Sequence, residues 1–587
     1  MDSSAIAARM REIAAYLRLD GETFRARAYD RAAASVEATH DLERLIAEGR
    51  LTELPRVGAS LARLVEDLSK DRPVAVLDSL RQRWPKMLVE IADLPGIGAA
   101  RARRLFDDLQ PRDLEDVAAA CAAGRVRDLP GFGPASEARI AEAIARRHER
   151  SHPMTVAEAR PLTEALASYA RGCRAAVDAR AAGAARRWIE VVDRLAIAVS
   201  TREPLEVLDH MSRHPLVLSV EPRAGAPAIL RMQGGVLCDL HTAPPERFGA
   251  ALVLATGSPE HVALLDVVAD TRGAARVADQ AASDEAALYR ALGLPELPPE
   301  VRDGTDEVTA AVGGEGYADL VRLEDLRGAV HCHTVYSDGK HTVEEMARAA
   351  MALGLDYITI TDHSPSAHYA GGLTVERLRE QWAEIAAVQE RLPIRILRGT
   401  ESDIRADGEL DYPPDVLAEL DITIASIHQR FKMDEDAMTR RIVTAMRQPG
   451  FKVWGHALGR LLLSRDPVPC RIDEVLDAIA ASDAAVELNG DPKRMDLAPD
   501  LARRALARGT RFVLSADAHS TGNLAYLENA IGMARRARLR ARDVLNTLPV
   551  DEFAAAVRPA ISATKLRSPR AARRSRGDRS GQPSTRG

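Results

Sequence analysis

The chain has 587 residues, of which 46% are hydrophobic and 28% charged, with a net charge of −6 and five scattered cysteines (Cys121, Cys173, Cys238, Cys332, Cys470). At roughly 100 to 200 residues per domain this is a several-domain globular protein, and the composition excludes wholesale disorder, a coiled-coil rod and a disulfide scaffold. No run approaches the roughly 18 to 20 apolar residues of a membrane span, and the opening MDSSAIAARMREIAAYL lacks the basic flank and apolar core of a secretion signal, so a cytoplasmic chain with no membrane partner is expected.

Residues 1–150 place Ala, Leu and Arg on helical periods and contain one phrase three times: Leu54-Pro55-Arg56-Val57-Gly58, Leu94-Pro95-Gly96-Ile97-Gly98 and Leu129-Pro130-Gly131-Phe132-Gly133. Each copy leads into a helical run, so the Pro and Gly make a tight turn and the next helix presents free backbone N–H groups. Gly58, Gly96, Gly98, Gly131 and Gly133 are therefore candidate DNA contacts, because a glycine lets a backbone phosphate approach a helix N-terminus without any reading of sequence. A dinucleotide-binding reading of Gly96-Ile97-Gly98 fails: Arg101 stands three residues beyond Gly98 and no strand pattern precedes the motif.

After residue 185 strand-like runs appear (WIEVVDRLAIAVS, LVLSV, VLCDL, ALVLA) with helical stretches between them, which predicts a mixed sheet domain over 155–318. From residue 327 seven strand-like segments alternate with helical ones: Gly328–Thr334, Tyr357–Ser364, Ile394–Ile404, Ile422–His428, Val453–Leu458, Ala485–Gly490 and Arg511–Ser520. Such alternation predicts parallel strands closing into a barrel with its site at the C-terminal strand ends. The polar residues fall there: His331 and His333 with Asp338 just beyond, His363, Glu401, His428, His456, Asn489, and Asp517 with His519. One histidine at a strand end is usually structural, but six histidines and three carboxylates converging from distant strands point to metal ligation. His341 and His368 lie in loops, outside the set. Arg460, Arg465 and Arg494 follow strands five and six and are candidates to clamp substrate phosphates, with surface salt bridging as the competing role. The tail Arg558–Gly587 holds nine Lys/Arg and one Asp; removing its +8 from −6 leaves −14 for the rest. Its Arg, Ser, Pro and Gly predict a disordered tail, either attracted to polyanions or merely solubilising.

These features together resemble a known family. Gly21 to Ala33, GETFRARAYDRAA, with the three turns looks like the lyase-like and fingers regions of the bacterial family X DNA polymerases. Where some members carry a Schiff-base lysine, Gly58-Ala59-Ser60-Leu61-Ala62-Arg63-Leu64-Val65-Glu66 has none, so no lyase activity is expected. Gly183-Ala184-Ala185-Arg186-Arg187 resembles the family's GSxRR entry to the palm, whose next strand carries two metal-binding aspartates. The matching positions here are Arg194 and Ala196, and a shift of one residue gives Asp193 and Leu195. Asp239 matches the third palm carboxylate, and Leu254 and Ala255 replace the aromatic residues of the nucleotide pocket. The resemblance thus implies a degenerate polymerase site, with Arg186 and Arg187 either touching DNA or solvent-exposed without a role.

The barrel resembles the PHP (polymerase and histidinol phosphatase) domain, with all nine ligand positions filled. That resemblance implies three divalent ions, manganese first with zinc or iron possible: His331, His333, Glu401 and Asp517 on one, Glu401 bridging to a second on His428 and His456, and Asp338, His363 and His519 on the third. It makes His331, His333, Glu401, Asp517 and His519 catalytic in phosphoester hydrolysis, and the expected activity is 3'-5' exonucleolytic cleavage in DNA repair. The fold class is multidomain α+β and α/β: an N-terminal all-α helix-hairpin-helix region, a mixed α/β polymerase-like palm and a C-terminal distorted (βα)7 PHP barrel. The expected boundaries are 1–85 lyase-like with the first hairpin, 86–150 fingers-like, 155–318 palm and thumb, 327–557 PHP and 558–587 tail. DNA backbone is the expected partner, no protein partner is inferable, and the location is the bacterial cytoplasm at the nucleoid. A working polymerase, a histidinol-phosphatase-like enzyme and a non-catalytic DNA-binding scaffold are the rival readings.

Overall fold

The computed structural model describes residues 3–37, 42–54, 56–70, 72, 74–92, 94, 97–112, 114–149, 153–232 and 235–559. Gly96 and the tail beyond residue 559, both singled out above, lie outside the described residues. The chain divides into two compact units, one ending at residue 151 and the other beginning at residue 152. Among the described residues no helix is long and apolar enough to cross a membrane.

The first unit is helical, and its core gathers one face of each helix: Ile6, Met10, Ile13 and Leu17, repeating every three to four residues, are buried with Val65, Leu68, Leu105 and Ile144. The repeated phrase recurs as one turn. Val57, Ile97 and Phe132 each donate a backbone N–H to the leucine that opens the phrase, at 3.1, 3.0 and 3.0 Å. The third residue of the phrase takes the left-handed conformation in the two copies where it is described, Arg56 (φ 66°) and Gly131 (φ 87°).

The second unit combines an open sheet and a barrel. The sheet strands are β1 (Ala176–Ala181), β2 (Leu195–Thr201), β3 (Val217–Glu221), β4 (Ala228–Met232) and β5 (Leu237–Ala243), in the spatial order β1-β2-β5-β4-β3. Only β2 and β5 are parallel neighbours. Two details differ from the sequence expectation. The run WIEVVDRLAIAVS breaks at Asp193 and Arg194, so that a two-residue strand, Val191–Val192, precedes β2. The run ALVLA is not a strand but part of the helix Phe248–Thr256. That helix is buried nearly all round, so its apolar residues show no helical period to separate them from a buried strand.

The barrel strands are β6 (Gly328–Cys332), β7 (Tyr357–Ile360), β8 (Arg395–Asp403), β9 (Ile422–Ser426), β10 (Val453–Trp454), β11 (Ala485–Asn489) and β12 (Phe512–Ala518). They pair in sequence order, all parallel, and β12 closes onto β6. The fifth strand is shorter than expected, because the chain turns after Trp454 and delivers His456 from the turn. The strands are buried on both faces, which explains their nearly continuous apolar runs. At the bottom the interior is apolar: Val330, Leu397, Ile422, Val453 and Val513 pack with the helix Val550–Val557, whose Phe553 stacks on Tyr357 at 4.9 Å. Gly328 is required there, since a Cβ would lie 1.9 Å from the Tyr357 ring. The polar residues are left for the top.

Candidate metal centre

At the C-terminal ends of the strands two opposed irregularities turn the chain inward. Pairing of β12 with β6 shifts register between Ser515 and Ala518, and pairing of β6 with β7 shifts between Ala329 and Cys332. His331 (φ 64°) and Asp517 (φ 48°) occupy these bulges in the left-handed region, as does His456 (φ 23°) at the end of β10. Such strain in non-glycine residues costs of order 1–3 kcal/mol each and persists where the surroundings enforce a particular side-chain direction.

All nine predicted ligands meet at this mouth. His331 Nε2 lies 3.3 Å from Glu401 and 3.6 Å from Asp517, and His333 Nε2 lies 3.6 and 3.4 Å from the same two carboxylates. Glu401 sits centrally, with His363 Nδ1 at 3.0 Å, His428 Nε2 at 3.1 Å and His456 Nε2 at 2.8 Å. Asp338 is 3.5 Å from His363 and 3.4 Å from His519. Three sets of side chains offer donor atoms within 4.8 Å of one another: His333, Asp338, His363 and His519; His331, His333 and Asp517; His363, Glu401 and His428. The sets overlap through His333 and His363, whereas the family pattern joins two of its groups through Glu401.

Hydrogen bonding at the far nitrogens fixes which atom each ring offers. His331 Nδ1 bonds Glu487, His428 Nδ1 bonds Asp403 at 3.0 Å, and His519 Nδ1 bonds the Asp517 carbonyl at 2.9 Å, which turns each Nε2 into the mouth. His331 Nε2, both nitrogens of His333 and His363 Nδ1 are buried without a hydrogen-bond partner. Orphaned imidazole nitrogens facing carboxylates at these separations are a donor set suited to divalent cations.

Electrostatics support the same reading. Burial opposes charge on His331 and His363, yet Glu487, Asp517 and Glu401 around the first, and Glu401 and Asp338 around the second, hold both well above the usual histidine range. Against burial, Asp338 and Asp517 raise His519 to about 9. His333 is pushed down to about 3 by burial and by His519 and His363, and His456 to about 4 by burial and Arg494. Glu401 and Asp517 stay ionised well below the usual carboxylate range because imidazolium neighbours outweigh burial. A pocket that concentrates ionised carboxylates and retains protons to balance them is one in which cations compete with those protons.

The three arginines named from sequence separate. Arg494 Nε lies 3.3 Å from Asp517, at the site. Arg465 sets its guanidinium 3.9 Å over the Phe431 ring and donates its Nε–H to the Gly459 carbonyl. Arg460 is committed elsewhere: it donates to the carbonyls of Arg494 and Met495 and to Glu190 of the sheet region, so it joins barrel to sheet and has no free edge for a phosphate. Glu487 and Asp403, which orient His331 and His428, were missed in the sequence. A glutamate flanked by Val486 and Leu488 in β11 was the available signal for the first.

In the sheet, Ala196 of β2 stands beside Asp239 of β5, and Arg194 Nε reaches the Asp239 carboxylate at 2.7 Å. The Asp239 carboxylate is thus engaged by Arg194 in an ion pair. Arg186 bonds Glu285 and Thr256, and Arg187 bonds Asp303 at 2.9 Å, so neither is the free, solvent-exposed arginine considered above.

A closed parallel barrel with this mouth, in a chain that also carries helix-hairpin-helix turns, defines a metal-dependent phosphoesterase of the PHP class. Residues 329–490 match the PHP domain, residues 1–72 the helix-hairpin-helix domain and residues 88–146 the SAM-like helix-hairpin-helix tandem. The DNA polymerase/3'-5' exonuclease PolX of Bacillus subtilis is 31% identical over 552 residues, covering 91% of this chain and 95% of that protein. A probable phosphatase of Caldanaerobacter subterraneus is 29% identical over 233 residues, or 37% of this chain and 85% of its own length. A probable histidinol-phosphatase of Deinococcus radiodurans is 27% identical over 233 residues, or 33% and 87%. The chain belongs to the PolX family of bacterial family X DNA polymerases with a C-terminal PHP domain.

Proposed function

We propose that this protein binds DNA and, with divalent metal, removes nucleotides as a 3'-5' exonuclease, while its palm-like sheet does not synthesise DNA. The observation that carries the reading is the contrast inside one unit: nine imidazole and carboxylate side chains converge in the barrel, whereas Asp239 in the sheet is paired with Arg194 beside Ala196. Manganese is the first choice of ion and three ions the proposed number, held by His331, His333, Asp338, His363, Glu401, His428, His456, Asp517 and His519. Such ions supply Lewis-acid activation of water and of the phosphodiester. The protein's part is orientation. Glu487, Asp403 and the Asp517 carbonyl hold the Nδ1 protons of His331, His428 and His519, and Arg494 beside Asp517 presents a guanidinium to the phosphate.

The helical turns are the proposed DNA-backbone contacts. The helices Ala59–Ser69 and Ala99–Leu109 begin at Gly58 and Gly98 with no side-chain cap, leaving their first N–H groups available. A Cβ at Gly58, Gly98 or Gly133 would meet nothing within 4 Å, so the space these glycines keep open faces outward, where a phosphate would enter. The divisions at 85/86, 150/155, 318/327 and 557/558 belong to this reading, as does a location at the nucleoid. The phosphatase alternative draws on relatives that match only about a third of the chain.

The test is a 5'-labelled primer on a longer template, incubated with Mn2+ or Mg2+, with and without deoxynucleotides, beside an Asp517→Ala/His519→Ala variant. Shortened products that vanish in the variant, with no extension, are expected. Extension of the primer refutes the inactive palm, and no shortening refutes the nuclease.

A further inference from the structure

The barrel mouth is lined with imidazoles and carboxylates, yet one large aromatic side chain stands over it. Tyr369 is 68% exposed, and its ring centroid lies 6.2 Å from that of His363 and 6.3 Å from that of His428. Packing does not explain it. Among the described residues its hydroxyl makes no hydrogen bond, and the ring meets the two imidazoles only tilted or edge-on, which leaves a face open.

The backbone beneath it is nevertheless tightly fixed. Tyr369 occupies the one-turn helix His368–Ala370, between buried Ala367 and Ala370. Ser366 gives its N–H and hydroxyl to Asp411, both at 2.6 Å, and Gln429 donates to the Ser366 carbonyl at 2.7 Å. Gly372 closes the loop so tightly that a Cβ would lie 2.0 Å from the Ser364 carbonyl oxygen. An exposed aromatic ring on an immobilised loop resembles the arrangement by which proteins take up nucleobases, because every base has a π-face and stacking needs a rigid platform.

We propose that Tyr369 is the stacking platform for the terminal nucleobase of the strand being cleaved, holding the last nucleotide so that its phosphate lies over the His363 and His428 side of the metal centre. This rests on the nuclease reading above. Stacking requires no hydrogen-bond readout, so the contact orients any of the four bases equally. Tyr369 is therefore a positioning residue, acting on substrate binding more than on the chemical step.

Base–aromatic stacking corresponds to roughly 5- to 150-fold in binding per base. For the metal-loaded full-length protein, Tyr369→Ala is expected to raise KM for a single-stranded oligonucleotide about 10-fold with kcat little changed, the mark of binding lost equally in ground and transition states. Tyr369→Phe is expected to match wild type. With an oligonucleotide whose 3'-terminal residue is a baseless tetrahydrofuran, wild type and Tyr369→Ala should cleave with the same KM. Metal content should be unchanged in both variants. An equal loss on base-bearing and baseless ends, a fall in metal content, or no change in KM overturns the proposal. Wild-type protein that cleaves neither oligonucleotide refutes the nuclease reading itself, and the proposal with it.

Discussion

Glu487→Gln tests whether the residues behind the ligands set metal affinity. The Glu487 carboxylate is fully buried and accepts from His331 Nδ1, from the His456 backbone N–H and from Asn489 Nδ2 at 3.2 Å. Burial alone would push its pKa up, but His331 and His456 hold it down, so it is a true carboxylate and its bond to His331 is charge-assisted. Glutamine has the same shape without the charge. Replacing a charge-assisted bond of about 1.5–3 kcal/mol by a neutral one of about 0.5–1.5 kcal/mol loses on the order of 1–2 kcal/mol in orienting His331. Removal of such supporting groups typically weakens metal binding about 10–100-fold. The assay is Mn2+ titration against a fluorescent chelator, with metal content measured after desalting and circular dichroism to establish that the fold is intact. Added Mn2+ should restore nuclease activity. A folded Glu487→Gln variant with wild-type Mn2+ affinity, beside an Asp517→Asn variant that loses it, refutes the reasoning.

Arg494→Ala should lower kcat/KM on DNA by at least about 10-fold, since bidentate guanidinium contacts to phosphate are among the stronger hydrogen bonds, whereas Arg460→Ala should leave kcat/KM unchanged and lower the melting temperature, because Arg460 ties the barrel to Glu190. Steady-state kinetics beside thermal melts separate the two, and the reverse pattern exchanges their roles. Glu285→Gln leaves the fully buried Arg302 without its carboxylate, which should cost about 3–5 kcal/mol at pH 7 in urea unfolding. Burial pushes Glu285 up, but Arg302 and Arg186 bring it from 4.5 down to about 2. A depressed carboxylate stabilises above its unfolded pKa, so the stability linked to this shift, on the order of 3 kcal/mol, is present above pH 4.5 and lost as pH falls toward 2. The wild-type advantage over Glu285→Gln should shrink across that window, and a gap that does not change with pH counts against the ion pair. Phe553→Ala opens the apolar bottom of the barrel beside Tyr357 and should destabilise by about 3–5 kcal/mol, read as a lower urea midpoint with metal affinity retained; a loss below 1 kcal/mol contradicts the packing described.

The convergence of these side chains was legible because a parallel barrel has a rule that connects order to place: strands alternate with helices, and whatever is polar at a C-terminal strand end arrives at one mouth. His331, His363, His428 and His519 could thus be assigned to one site from order alone. The three LPxxG phrases were equally legible, since Pro and Gly act on the backbone locally. By contrast, the helix Phe248–Thr256 was not, because its burial on nearly all sides removes the periodicity on which such an assignment rests. Glu487 and Asp403 were hidden for a related reason: their role depends on which imidazole nitrogen they touch, a matter of Ångströms across the barrel.

The arginines show the division most clearly. Arg460, Arg465 and Arg494 are equivalent as letters following strands five and six, and Arg194 and Asp239 stand 45 residues apart in sequence with nothing to announce a pair. Residue order determined the barrel, the turns and the polar set at its mouth, because hydrophobic period and strand direction are local properties that add up along the chain. Only the tertiary structure decided which guanidinium lies beside Asp517, which one locks barrel to sheet and which one pairs with Asp239. A charge acts over a few Ångströms in whatever direction packing leaves open, and that direction is fixed by neighbours far away in sequence.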